Sequence, residues 1–286
     1  MATRPATGDL GRLEPSDDGI GAADDVEAGG SLAPAVTRAA AILDVLASHP
    51  TDPAGPSELA RRLGLPKSSI ANILNAMADA GLVRRVGSGY GLGRKVAELG
   101  GAYLAAIDLV QEFYDACREL PAASDETIQL AVLDGLDMTY LARHDGRQQV
   151  RLTSGIGRRL PATVTATGKA SLASLDDREL DLRLATITEL PRLTAHSIAT
   201  VEALRSDIEA VRRRGHAIDD EETVEGVICL GVAIRPRRAG EGPYAASVTL
   251  LKARATEERI GALITDLDQL TRRLSDPMRP ADQPRR

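Results

Sequence analysis

Apolar residues recur every three or four positions from Ala35 onward, which is the spacing of one face of an α-helix. The three prolines of residues 50–56 end this helix, because proline lacks the backbone donor and fixes the backbone torsion. A short second helix is predicted over residues 58–64, with Ser57 as its N-cap. A third helix is predicted over residues 66–80, and its buried stripe comprises Ile70, Ile73, Leu74 and Met77.

A strand pattern follows the third helix. Gly81 ends that helix, and LVRRVGSGYGLG predicts two short strands around the tight turn Gly87-Ser88-Gly89. Helix, short helix, turn, helix and hairpin in this order predict a winged helix-turn-helix, which we place at residues 32–93.

The rest of the chain predicts a linker and a second domain. Residues 94–121 have a helical pattern up to a proline and are predicted to form one linker helix. Strand patterns follow at TIQLAVLD, MTYLARH, VRLT, GVICLGVAIR and YAASVTLL, and helical patterns at residues 166–175, 198–214 and 254–274. This order predicts an α+β sensor domain with an antiparallel sheet over residues 122–275.

Composition narrows the class of protein. Of the 286 residues, 43% are hydrophobic and 27% are charged, as in ordinary globular proteins. Residues 1–31, which are acidic, and residues 276–286 are predicted to be disordered tails. There is no signal-peptide pattern and no apolar stretch near the ~20 residues that span a bilayer, so we expect a cytoplasmic protein. The cysteines, Cys117 and Cys229, form no CxxC pair, so neither a zinc site nor a disulfide scaffold is expected.

Charge is distributed unevenly along the chain. The net charge is −6, yet residues 57–95 carry seven basic and two acidic side chains. Residues 1–31 carry two basic and seven acidic ones. A locally basic segment of this kind indicates a nucleic-acid site even in an acidic protein.

The start of the third helix has the chemistry of a DNA-reading helix, whose N-terminal residues meet base edges in the major groove. Lys67 can reach a phosphate, Ser68 and Ser69 can bond a phosphate or a base, and Asn72 can pair with adenine through two hydrogen bonds. Further DNA contacts are predicted at Thr37, Arg38, Arg84, Arg85 and Tyr90. The alternative for each arginine is ordinary solvated surface charge.

Four segments together resemble the isocitrate lyase regulator (IclR) family: SELARRLGLPKSSIANIL, YGLGRKVAELG, GRRLPATVTATGKASLA and GHAIDDEETVEGVICLGVAI. The resemblance covers residues 33–275. It implies a winged-helix DNA-binding domain, a linker helix that pairs protomers, and a GAF-like effector-binding domain. It also implies a homodimer or tetramer on a palindromic double-stranded operator, without a cofactor. Family members often have a basic residue where this chain has Asn72, which affects the operator sequence.

The threonine-rich segment before the helix near Ala166 is the candidate effector site. Free N–H groups at a helix start, with the hydroxyls of Thr163, Thr165 and Thr167, suit a small carboxylate. Helix capping is an equally good interpretation of Thr163 and Thr165. The resemblance implies a pocket that includes Leu152, Leu160, Ala166, Thr167, Asp219 and Cys229.

From the residues alone, two of these pocket positions have simpler interpretations. Residues 219–222 look like a solvated acidic turn, and Cys229 looks like a small buried core residue. Many family members have a histidine where this chain has Thr163, which changes the polarity of the pocket.

Catalysis is the competing class of function. Cys229 with His216 or His196 is a conceivable nucleophile and base, but neither histidine lies in a catalytic motif. The sequence has no GxSxG, HExxH or P-loop pattern. It therefore favours a regulator whose operator binding is controlled by a small organic acid. The alternative is an enzyme or a protein-interaction module built on a GAF-like domain with an accessory winged helix.

Overall fold

A computed structural model of the chain describes residues 33–147, 155–237 and 242–275. The N-terminal domain has three helices and a hairpin: α1 (Pro34–Ser48), α2 (Pro56–Arg62), α3 (Lys67–Asp79), β1 (Val83–Val86) and β2 (Gly89–Leu92). The two strands pair antiparallel, with Val83 opposite Leu92. The prediction of a winged helix-turn-helix is confirmed.

Three local details of this domain differ from the prediction. Helix α2 begins at Pro56, so its N-cap is Gly55 and not Ser57. Proline suits the first helical position, because the N–H that it lacks would have no partner within the helix. Pro66 is the N-cap of α3 and does not lie in its first turn. The hairpin turn consists of Gly87 and Ser88 alone, and Gly87 has the positive φ of +57° that such a turn requires.

The core of the winged helix is built largely by one face of α3. Ile70, Leu74 and Met77 are buried and Ile73 is half-buried, as the periodicity predicts. Each fully buried aliphatic side chain of this kind stabilises the fold by about 1.5–3 kcal/mol. Because α3 is held by this face, its polar face, which carries Asn72, is left exposed.

The predicted single linker helix is wrong. Residues 94–121 form two helices, α4 (Arg94–Ala105) and α5 (Asp108–Cys117), with a break between them. The break follows from burial, because α5 packs Leu109, Phe113 and Ala116 into the core of the second domain, whereas α4 buries no residue.

The second domain is built on a six-stranded sheet of order β5-β4-β3-β8-β7-β6, in which all neighbours are antiparallel. The strands are β3 (Thr127–Asp134), β4 (Asp137–His144), β5 (Arg159–Pro161), β6 (Ala217–Asp220), β7 (Val227–Ile234) and β8 (Tyr244–Leu251). The helices are α6 (Ala166–Ser174), α7 (Asp177–Leu184), α8 (Val201–Arg214) and α9 (Glu257–Ser275). The predicted α+β class with an antiparallel sheet is confirmed.

Helices cover both faces of the sheet. Helices α5 and α9 pack on one face, and α6, α7 and α8 pack on the other. A bulge in β4 leaves Leu141 without a partner on β3, so that Tyr140 faces the core formed with α6 while Ala142 faces the core formed with α5 and α9. A small cavity lies under the N-terminus of α6.

Several elements differ from the sequence prediction. Strands β5 and β6 and helix α7 were not predicted. Helix α8 begins at Val201 because the hydroxyl of Thr200 caps it by accepting a hydrogen bond from the Ala203 N–H. The predicted strand at VRLT and the two predicted tails lie outside the described residues.

Candidate nucleic-acid interface and ligand cavity

The N-terminal end of α3 presents a basic and polar surface. Lys67, Ser68 and Asn72 are exposed there, and Arg84 and Arg85 are exposed on the neighbouring hairpin. The fold thus brings together cationic side chains for phosphates and an amide that can read a base edge, which is the arrangement of a major-groove reader.

Arg38 has a supporting role in this surface. Its Nη1 donates a hydrogen bond to Ser69 Oγ at 3.3 Å, which joins α1 to the start of α3. Both side chains are half-buried, whereas Thr37 beside them is exposed. Arg38 therefore holds the recognition helix at its N-terminal end, where its angle of entry into a groove would be set.

Tyr90 is less accessible than its predicted role requires. Only 6% of the residue is exposed, and it packs in the core of the winged helix. Its backbone exchanges two hydrogen bonds with Ala54, and the Arg85 guanidinium lies 5.6 Å from its ring centre. Tyr90 therefore supports Arg85 by a cation–π contact and offers no side-chain surface to DNA.

A small cavity of about 20 Å³ lies between the N-terminus of α6 and the central strands. Six of the predicted effector residues line it: Leu160, Thr165, Ala166, Thr167, Asp219 and Cys229. Thr163 is buried but is not part of the lining, and Leu152 lies outside the described residues. The cavity has room for about one water molecule.

The start of α6 is held tightly against the sheet. Thr165 is its N-cap: the hydroxyl accepts a hydrogen bond from the Gly168 N–H at 3.1 Å and donates one to the Pro161 carbonyl at 3.2 Å. The capping interpretation is therefore confirmed for Thr165, and the same residue also lines the cavity.

Two glycines allow this close approach. A Cβ atom on Gly231 of β7 would lie 2.4 Å from the carbonyl oxygen of Ala166, and one on Gly168 would lie 2.2 Å from the Ala162 backbone. Both distances are shorter than any real contact, so only glycine fits at either position. As a result, the first residues of α6, Ala166 and Thr167, line the cavity.

Asp219 is a buried carboxylate, so the prediction of a solvated acidic turn is wrong for it and for Glu222. Its Oδ1 accepts hydrogen bonds from the N–H groups of Glu222 at 2.7 Å and Thr223 at 3.2 Å, and the Thr223 hydroxyl donates to Oδ2. Burial nevertheless raises the pKa of Asp219 above its ordinary value. The turn folds inward because its own backbone satisfies the carboxylate.

Cys229 is a cavity residue with a poorly nucleophilic thiol. Its Sγ lies 3.3 Å from Thr249 Oγ1. Burial, together with the charge of Asp219, raises the pKa of the Cys229 thiol well above its ordinary value. Because the thiolate is the reactive form, this environment opposes nucleophilic catalysis. Among the described residues, no group of His, Cys, Asp and Glu has the arrangement of a metal site.

Sequence reasoning missed several lining residues: Gln129, Tyr140, Thr223, Val224 and Ser247. The hydroxyl of Tyr140 lies 3.4 Å from Thr167 Oγ1 at the start of α6. A signal was available for Gln129 and Ser247, since both are polar residues inside otherwise apolar, buried strands.

Comparison with known proteins covers both domains. Residues 35–87 match the IclR helix-turn-helix domain, and residues 101–276 match the bacterial transcriptional regulator IclR C-terminal domain. The chain is 33% identical to the Escherichia coli regulator KdgR over 232 residues, which are 80% of this chain and 88% of that one. It is 30% identical to the Pseudomonas putida regulator TtgV over 248 residues, which are 86% and 90% of the two chains.

Solved structures show the same likeness. The IclR protein of Thermotoga maritima matches 85% of this chain and 99% of its own, with a TM-score of 0.63 and 26% identity. An IclR homologue of Microbacterium hydrocarbonoxydans, crystallised with 4-hydroxybenzoate, has the same fold with a TM-score of 0.69 and 22% identity. No helix in the described part of the chain is long and apolar enough to cross a membrane. The chain, with its helix-turn-helix domain and its effector-binding domain, belongs to the IclR family of bacterial transcriptional regulators, a non-enzymatic family.

Proposed function

We propose that this regulator binds a palindromic operator and releases or engages it in response to a small organic acid held in the cavity under α6. The observation that carries the proposal is the start of α6, where Ala166 and Thr167 line one small cavity and the Thr167 hydroxyl lies 3.4 Å from that of Tyr140. Helix starts of this kind attract anions through their unpaired donors and the helix dipole. A regulator acts where the DNA is, so we infer a cytoplasmic protein.

Charge limits which acids fit. Asp219 forms the opposite wall, and none of the described residues that line the cavity is cationic. A ligand with one carboxylate directed to α6 and a hydrogen-bond donor directed to Asp219 satisfies both walls, whereas a second carboxylate at Asp219 is repelled. Hydroxy acids and phenolic acids have this pattern, so 4-hydroxybenzoate is a suitable first test ligand.

The effector site is tested by filling the cavity. Thr167→Tyr adds a ring larger than the cavity, so a wall must shift to hold the ring as it would for a ligand. In the folded variant we expect operator affinity to persist and the response to acids to disappear. Fluorescence anisotropy of a labelled operator, selected beforehand from genomic fragments at a fixed salt concentration, measures both properties. Thr265→Tyr, at an exposed position of α9, is the matched control and should respond as the native protein does. A normal response from Thr167→Tyr would place the effector elsewhere.

Pairing of protomers is supported by α4. This helix buries no residue within the chain, and it exposes 53% of Leu99 and 56% of Tyr103. Apolar residues exposed one turn apart on a helix suit a second copy of the same helix, which would set two recognition helices on the two halves of a palindrome. Leu99→Glu is expected to shift sedimentation towards the monomer and to weaken operator binding. An unchanged sedimentation coefficient would remove α4 from the interface.

A further inference from the structure

A buried cluster of charged side chains lies next to the cavity but outside its lining. Lys169 of α6 is only 1% exposed, and its Nζ forms ion pairs with Glu222 Oε1 and, at 3.0 Å, with Asp207 Oδ2 of α8. Lysine is among the residues least often found at this degree of burial. Asp207 has a second cationic partner in Arg214, at 3.4 Å. Glu222 differs in this respect, because Lys169 is the sole cation paired with it among the described residues.

Glu222 also forms hydrogen bonds with several neighbouring residues. Its second carboxylate oxygen accepts a hydrogen bond from the Ile198 N–H at 3.4 Å, and its carbonyl accepts one from the Ser197 hydroxyl at 2.8 Å. Its own N–H donates to Asp219 at 2.7 Å. Glu222 therefore connects α6, the segment before α8 and the acidic wall of the cavity.

Residues 221–226, which we call the cavity loop, join β6 to β7 and supply Thr223 and Val224 to the lining. The facing wall is fixed, because the start of α6 lies against β7 at a distance that only Gly231 permits. A cavity of about 20 Å³ is smaller than any organic acid, so a wall must move to admit one. The cavity loop is the wall tied to α6 by a single side-chain pair.

We propose that Lys169 and Glu222 are positioning residues that hold the cavity loop closed, and that a ligand enters only when this pair loosens. The inference rests on the proposed ligand cavity. Neither side chain needs to touch the ligand: Lys169 acts through Glu222, and Glu222 acts through the loop that carries Thr223 and Val224. The N–H groups of Glu222 and Thr223 also bind Asp219. Ligand affinity is then set partly by an ion pair that lies behind the cavity wall.

Cys229 offers a readout that requires no knowledge of the effector. The residue is half-buried and its thiol lines the cavity beneath the loop, so opening of the loop increases its exposure to iodoacetamide. The double variant Lys169→Met/Glu222→Gln removes both charges of the pair. Asp207 keeps Arg214 as its partner and Asp219 keeps its hydrogen bonds, so the domain should fold. We expect alkylation of Cys229 in this variant to be at least tenfold faster than in the native full-length protein. Peptide mass spectrometry separates Cys229 from Cys117.

The chemistry of the thiol makes this test stringent. The positive charge of Lys169 lowers the pKa of Cys229, so its removal slows the intrinsic reaction of the thiol. Faster alkylation can then arise only from greater access. Glu222→Gln alone, which keeps the size of the side chain, is a milder second variant and should fall between the native protein and the double variant.

The control is an ion pair on the outer side of the same loop. Lys252, which follows β8, is exposed and pairs with Glu221 and Asp220, so Lys252→Met removes a lysine that contacts the loop without breaking a fully buried ion pair. This variant should alkylate at the native rate. The inference would be overturned if Cys229 in the folded double variant were alkylated at the native rate. If the double variant does not fold, the same result in Glu222→Gln would overturn it. Because no effector is present in this assay, that result would leave the proposed ligand site to be judged by Thr167→Tyr alone.

Discussion

Replacement of Gly231 by alanine is the sharpest test of how the cavity is built. The added Cβ would lie 2.4 Å from the carbonyl oxygen and 2.5 Å from the carbonyl carbon of Ala166. Ordinary contacts begin near 3.4 Å, so α6 must move away from β7 by roughly 1 Å. Overpacking of a well-packed interior destabilises a protein by about 1–3 kcal/mol. For a domain of this size, that corresponds to a fall in Tm of about 2–12 °C.

Gly261→Ala is a control for which the opposite change in stability is expected. Gly261 lies in α9 with nothing within 4 Å of its added Cβ, so alanine there should raise stability by about 0.5–1 kcal/mol. Differential scanning calorimetry of the two variants at one protein concentration measures both shifts. Gly231→Ala should also lose its response to acids, because the helix start withdraws from the cavity. If Gly231→Ala is as stable as the native protein, α6 does not lie against β7 as described.

The remaining predictions concern DNA reading and acid stability. Asn72→Ala should relax base preference at one operator position, with a loss of binding free energy of about 1–3 kcal/mol. Lys67→Ala should weaken binding to all sequences and reduce the salt dependence. Binding to a set of operator variants at two salt concentrations separates these outcomes. Arg237 donates hydrogen bonds to Glu112 and lowers the pKa of that carboxyl below its ordinary value. A lowered folded-state pKa contributes stability above the unfolded value, near 4.5, that is lost as the pH falls through the folded value. Glu112→Gln should therefore flatten the acid side of a plot of Tm against pH, and an unchanged slope there would refute the assignment.

The winged helix was predictable because its signals are local. The apolar stripe of α3 has a clear helical period, Gly81 ends that helix, and a glycine-rich turn separates two short strands. The errors within this domain are shifts of one or two residues at helix ends. Tyr90 was assigned to DNA because it lies on the wing, but the pairing of its backbone with Ala54 turns its ring into the core.

The cavity was only half predictable, because it depends on contacts between distant segments. The threonines before α6 indicated a helix start. Nothing local, however, distinguishes Thr163, which does not line the cavity, from Thr165 and Thr167, which do. The acidic run at residues 219–222 looked solvated, and only the partner Lys169, about 50 residues earlier, accounts for the burial of Glu222. Likewise, the break after α4 reflects packing of α5 against strands that come later in the chain.

The break between α4 and α5 allows α4 to tilt as a rigid rod relative to α5. Helix α5 is fixed in the sensor core, and α4 begins within two residues of the end of the hairpin, so rotation is concentrated at Ala106 and Ile107. A helix of 12 residues is about 18 Å long at ~1.5 Å per residue. A tilt of roughly 10° at the joint would move the far end by ~3 Å, close to the rise of ~3.4 Å for one base-pair step. A change in angle too small to disturb either core would therefore move the recognition helix out of register with the base pairs it reads.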